Sequence, residues 1–159
     1  MGYRRFLAMI ATSTVVMYGL MYLNTYETAH IWFSQTRLWM ALLMGAVMAI
    51  IMLGFMWTMY GSVRTNLLIV GLAVVALAGS LWLVRSQETV GDVAYMKAMI
   101  PHHSIAVLTS RRAHISDPRV RDLANGIIEA QLREIDEMER LIADIEANGD
   151  SAGEPAPVR

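Results

Sequence analysis

A chain of 159 residues with 55% apolar residues, no cysteine and a formal net charge of −1 has room for a small membrane part and a small soluble part. The missing cysteine excludes disulfides and thiolate ligands, so a metal here would have to be held by His, Met, carboxylate or amide groups. Residues 85–159 carry 9 basic against 13 acidic side chains, a net negative balance that argues against nucleic acid as a partner.

Three stretches, 6–23, 38–61 and 67–84, contain no charged residue. As helices they would rise about 27, 36 and 27 Å, close to a hydrocarbon core of roughly 30 Å. Three such runs this close together leave too little polar surface for a soluble fold, so the sequence predicts three transmembrane helices. The first, preceded by Arg4 and Arg5 and followed by no small-residue cleavage site, is expected to be an uncleaved signal anchor. Arg4, Arg5 and Arg64 fall on one side of a three-span layout, and Arg37 and Arg85 on the other. The positive-inside rule then sets the N-terminus in the cytoplasm of a bacterial inner membrane. The loop 24–37, with His30, and everything after Arg85 would face the periplasm or exterior. Along the second span Met40, Met44, Met48, Met52 and Met56 recur every fourth residue beside Ala41, Gly45 and Ala49, a pattern suited to close helix packing.

After Trp82 the composition turns polar, at "RSQETVGD". A helix capped by Asp92 or Thr89 is expected to run to about Ile115. "SDPRVRD" then starts another, with Asp117 as cap and Pro118 in the first helical position. Apolar residues from Val120 to Ile145 recur at three and four, which predicts an amphipathic helix to about Ala147. The fold class is therefore all-α: three transmembrane helices (1–85), an extramembrane helical hairpin (86–148) and a disordered tail (149–159). Two helices bury little by themselves, so the hairpin is expected to pair with a second copy, as a homo-oligomer, or with other membrane helices.

The hairpin carries the chemistry. In "AYMKAMIPHHSIAV" the spacing sets Met96, Met99 and His103 within about 60° on one helix face, with His102 at its edge. Pro101 removes a backbone hydrogen bond and is expected to kink the helix and swing the two histidines together. Gln131, Glu134 and Met138 repeat the spacing on the second helix. Thioethers suit Cu(I), and imidazoles suit Cu(I), Cu(II) and zinc; methionine is not an ordinary zinc ligand, which makes copper the best match. The same residues also read as core filler with two polar residues at a helix kink.

"DVAYMKAMIPHHSIAV" followed by "DPRVRDLANGIIEAQLREIDEMERLI" resembles the DUF305 family, helical domains of ferritin-like type. The matching residues are Tyr95, Met96, Met99, Ile100, Pro101, His102, His103 and Ala106, then Ile128, Gln131, Glu134, Ile135 and Met138. The resemblance implies copper at Met96, Met99, His102, His103 and Met138. Many members have a methionine six residues after the second histidine, where this chain has Thr109. The expected function is a membrane-anchored, outward-facing copper-binding protein for tolerance, storage or delivery. The alternative is a structural or accessory subunit of a larger membrane complex. No Glu-x-x-His pair occurs on the predicted hairpin and no nucleophile–base arrangement is evident, so no enzyme, catalytic residue or organic cofactor is expected.

Overall fold

The computed structural model describes residues 2–149. Among them there are five α-helices and no strand: α1 (Tyr3–Leu20), α2 (Gln35–Phe55), α3 (Val63–Ser86), α4 (Asp92–Arg112) and α5 (Pro118–Asn148). The chain divides into two compact units, and the division is not sequential. One holds the residues up to Leu23 together with Ser34–Val90; the other joins Asn24–Phe33 to the chain from Gly91 onward. The predicted domain boundary after residue 85 thus falls close to the observed one, but the α1–α2 loop belongs with the hairpin. The expected disordered tail lies, from residue 150, outside the described residues.

In the first unit α2 packs on both α1 and α3. Ser34 caps α2 by accepting from the Arg37 amide at 3.2 Å, and Ser62 caps α3 by accepting from Thr65 at 3.3 Å. The second cap corrects the expected helix limits. Residues 63–66, read from sequence as linker, form the first turn of α3, and Asn66 is fully buried there. Its amide oxygen accepts from the Tyr3 hydroxyl at 2.8 Å, which ties α1 to α3. Phe6, Ala49, Leu53, Tyr60 and Ala73 form the surrounding core. Ala41, Gly45 and Ala49 are buried along α2 as their spacing predicted, and the methionine row beside them is half-buried. A Cβ on Gly45 would lie 2.3 Å from Thr14 Oγ1, so only glycine permits this approach of α1.

α2 and α3 are long and apolar enough to cross a membrane. α1 is 18 residues long but begins with Arg4 and Arg5 in its first turn and carries Thr12, Ser13 and Thr14 midway. The described residues hold two helices of membrane-spanning character, against the three expected.

Candidate metal centre

α4 starts behind Gly91, with Asp92 in its first turn and Arg111 and Arg112 in its last, matching the helix dipole at both ends. It stops three residues before the expected limit. α5 starts as predicted: Asp117 accepts from the Arg119 amide at 2.9 Å and Pro118 fills the first turn, where its missing N–H costs nothing. The two helices pack antiparallel across a five-residue connection. Met96, Ile100, Ile135 and Ile142 form the core between them, joined by Met138, Ile145, Val93 and Trp32.

Beside this core lies a cavity of about 560 Å³. Met96, His103, Glu134 and Met138 line it, with Asp92, Tyr95, Glu137, Leu141 and Ile145. Four of the seven predicted ligands therefore line one cavity. Gln131 stands behind them, its amide donating to Glu134 Oε2 at 3.4 Å. Met99 and His102 do not join. His102 is exposed, and its ring centre is 6.2 Å from that of His103 at a tilt of 55°. The reason is helix geometry. α4 runs unbroken through Pro101, so neighbouring residues keep their separation of about 100°, and the proline does not swing the two imidazoles together. Met96 and His103 are within about 20° of each other, whereas Met99 is about 60° from Met96.

His103 is the centre of the site. Its side chain is 14% exposed, and Nδ1 is shut off from solvent without a hydrogen-bond partner. Glu134 Oε2 lies 3.2 Å from that nitrogen but is out of line for a hydrogen bond, and the contact becomes an ion pair only when the ring is protonated. Burial pushes the His103 pKa below its usual value; the Glu134 carboxylate opposes this shift, and His102 adds to it. The imidazole is therefore neutral, with a lone pair available, at pH 7. The donors are strung out rather than clustered: Met96 and His103 are two turns apart on α4, about 10 Å along the axis. Among the described residues no three His, Asp or Glu side chains gather into a metal cage, so a metal here would need methionine sulfur to complete its ligands.

Three further features were not anticipated. His30, read from sequence as a loop residue exposed to solvent, is buried with its Nδ1 2.9 Å from Ser104 Oγ, and the Tyr26 amide donates to the same oxygen at 2.7 Å. Arg111 donates to the Tyr26 hydroxyl and lies over its ring. Lys97 pairs with Glu146 and sits 5.5 Å above the ring of Trp32. Nothing in a single sequence marks Ser104 as the anchor of a loop 78 residues away. Thr109, the departure from the expected methionine, is exposed and bonds back to the carbonyls of Ile105 and Ala106 at 3.0 and 3.1 Å. It gives the cavity no donor.

The chain matches the family described as "Domain of unknown function (DUF305)" over residues 87–156, a range that takes in the whole hairpin. It is also 32% identical, over 106 residues, to an uncharacterized protein of Acanthamoeba polyphaga mimivirus, covering 65% of this chain and 68% of that one. The chain belongs to the DUF305 family. An alignment of that length cannot fit within the hairpin alone, so the likeness to the viral protein runs into the first unit. No solved structure matches the chain. The DUF305 hairpin is thus the part that the family match and the cavity share.

Proposed function

We propose that this protein is a bilayer-anchored metal-binding protein and that the hairpin takes copper, for tolerance, storage or delivery. One observation carries the reading: His103, whose Nδ1 is enclosed without a hydrogen-bond partner, lines a cavity together with Met96, Met138 and the acidic residues Asp92, Glu134 and Glu137. A buried polar atom without a partner is rare and calls for an occupant. The donor set is soft, with Met96 and Met138 beside a neutral imidazole, and fits Cu(I) better than zinc, magnesium or calcium. Glu134, held by Gln131, supplies a negative charge next to the cation.

Anchoring rests on α2 and α3, with α1 as a third span. The arginines flanking the apolar runs favour a cytoplasmic N-terminus and a hairpin on the outer face of a bacterial inner membrane. Support comes from the loop Asn24–Phe33, which packs with the hairpin and so must share its side. Tags at both ends read this out: opposite sides if α1 crosses, the same side if it does not.

The testing experiment is a competition titration of detergent-purified protein against a Cu(I) chelator at neutral pH. Met96→Leu/Met138→Leu nearly conserves volume, and it should weaken Cu(I) binding about tenfold or more while leaving the helix content unchanged. Equal and poor competition by wild type and variant would reduce the cavity to packing. A second reading, an accessory subunit of a membrane complex, is favoured by a cleft of about 820 Å³ among α1, α2 and α3, floored by Gly45, Ala46, Ala49, Ala73, Ala76 and Ser80. Small residues of this kind admit a further helix. A defined hetero-complex surviving mild detergent, with no copper bound, would favour it.

A further inference from the structure

Charge on the hairpin is segregated. Residues 111–122, around the turn, carry four arginines against two acids, whereas residues 129–148 carry two arginines against seven acids. At the turn Arg112, Arg119 and Arg121 are exposed. Only Arg119 has an acidic partner, Asp117 at 2.7 Å, in an exposed pair of the kind that is easily exchanged. The N-terminus of α5 adds its positive dipole end.

The same tip is apolar between its cations. Val120 is 48% exposed and Leu123 63%, against 45% for Leu141, which stands alone in the acidic half. With Ile115, Ala124 and Ile127 they line a shallow groove of about 270 Å³. Apolar side chains set among arginines form the pattern of a surface that settles into the headgroup layer of a membrane, with aliphatic groups in the acyl boundary and guanidinium groups on lipid phosphates. An acidic peptide would want charge without so broad an aliphatic contact. The acidic half of α5 would be repelled from the same surface, which gives the contact a direction.

We infer that the α4–α5 turn is a docking surface for anionic phospholipid, formed by Arg112, Arg119 and Arg121 around Val120, Leu123 and Ile127. The inference rests on the bilayer anchoring proposed above. Reach does not forbid it. Five residues separate the end of α3 at Ser86 from the start of α4 at Asp92, and α4 spans about 31 Å, so a tilted hairpin can lower its tip onto the bilayer that holds α3.

The chain has no cysteine, so single labels are clean. Full-length protein carrying Leu123→Cys, labelled with a polarity-sensitive dye, is placed at one copy per nanodisc. The discs contain either phosphatidylcholine alone or an equal mixture with phosphatidylglycerol. Detergent-free incorporation into discs reports on anchoring by itself. The dye should shift to the blue and lose access to an aqueous quencher only in anionic discs, and the effect should vanish at 1 M salt, where the screening length falls to about 3 Å. A label at Leu141→Cys, among the acidic residues, should not respond. Arg112→Gln/Arg121→Gln should lower the docked-to-free ratio about 25-fold, from roughly fivefold per basic side chain at an anionic surface. The inference is overturned if the Leu123 signal ignores lipid charge, if it survives the arginine variant, or if it appears only with two copies per disc, which would assign the face to a second protein chain. Successful incorporation with an unresponsive label would sink the docking surface and leave the anchor standing; failure to incorporate would sink both.

Discussion

The α1–α2 contact and the α4–α5 contact are built by opposite means. At the first, the side chain is reduced to nothing: Gly45 lets Thr14 approach to a distance that no Cβ would allow. At the second, branched aliphatic residues fill the contact, and the polar group between the helices, His103, is left without a partner beside a cavity. Close backbone approach joins apolar helices tightly where side-chain volume is small; buried polar atoms without a partner occur in this unit too, at Trp39 Nε1 and Tyr60 Oη. In the hairpin, burial of Ile100, Ile135 and Ile142 has to outweigh an unpartnered imidazole. The difference lies in the packing: close backbone approach joins one pair of helices, and branched side chains join the other.

That contrast can be broken by mutation. The largest effect should come from Ile135→Ala, which empties a fully buried position and should cost the hairpin about 2–5 kcal/mol while leaving α1–α3 intact. Hydrogen exchange resolved by helix checks this, and loss of protection in all five helices together would show the two units to be one. Next is Gly45→Val. It should cost the first unit about 1–3 kcal/mol through overpacking against Thr14, measured as a lower melting temperature in detergent with copper competition unchanged.

A smaller effect should follow pH. The folded pKa of His103 lies below its unfolded value, so on acidification the unfolded chain takes up its proton first. Stability should therefore be intact above about pH 6.5, decline as pH falls below it, and level off beneath the folded pKa. His103→Asn should flatten that decline in metal-free protein, and an unchanged profile would show another group to be responsible. For the same reason copper should be retained below pH 6.5, further than an ordinary histidine site allows. The smallest effect should be at the start of α5. Asp117→Ala removes the cap and the Arg119 ion pair at the half-buried start of α5, so faster amide exchange at Arg119 and Val120 should appear with little change in melting.

Much of this was legible in the chain. The cap at Asp117 and Pro118, the end of α5 near Asn148 and the buried row of Ala41, Gly45 and Ala49 all follow from local rules of propensity and period. Met96, His103, Glu134 and Met138 were readable because they repeat at helical spacing on two segments joined by a short turn. The errors came where the reading assumed geometry that local rules do not fix. Pro101 was expected to bend α4 enough to merge His102 with His103, but the helix accommodates it and the residues stay on separate faces. The start of α1 was placed after its two arginines, yet Arg4 and Arg5 lie inside its first turn. His30 was misread because its burial depends on Ser104, a partner that only the tertiary structure brings near.

That Ser104 node has a consequence for how the molecule is made. The loop Asn24–Phe33 leaves the ribosome early, but the hydroxyl that holds Tyr26 and His30 belongs to α4, and the core under Trp32 needs Ile145 from near the end of α5. At about 5–20 residues per second, the loop waits several seconds with an imidazole and an indole unburied. The first unit can be finished while the second still lacks half its parts, so a ribosome stalled after α3 would release a chain with completed membrane helices and an open, sticky loop. Quality-control proteases would meet their first ready substrate there, not at the hairpin.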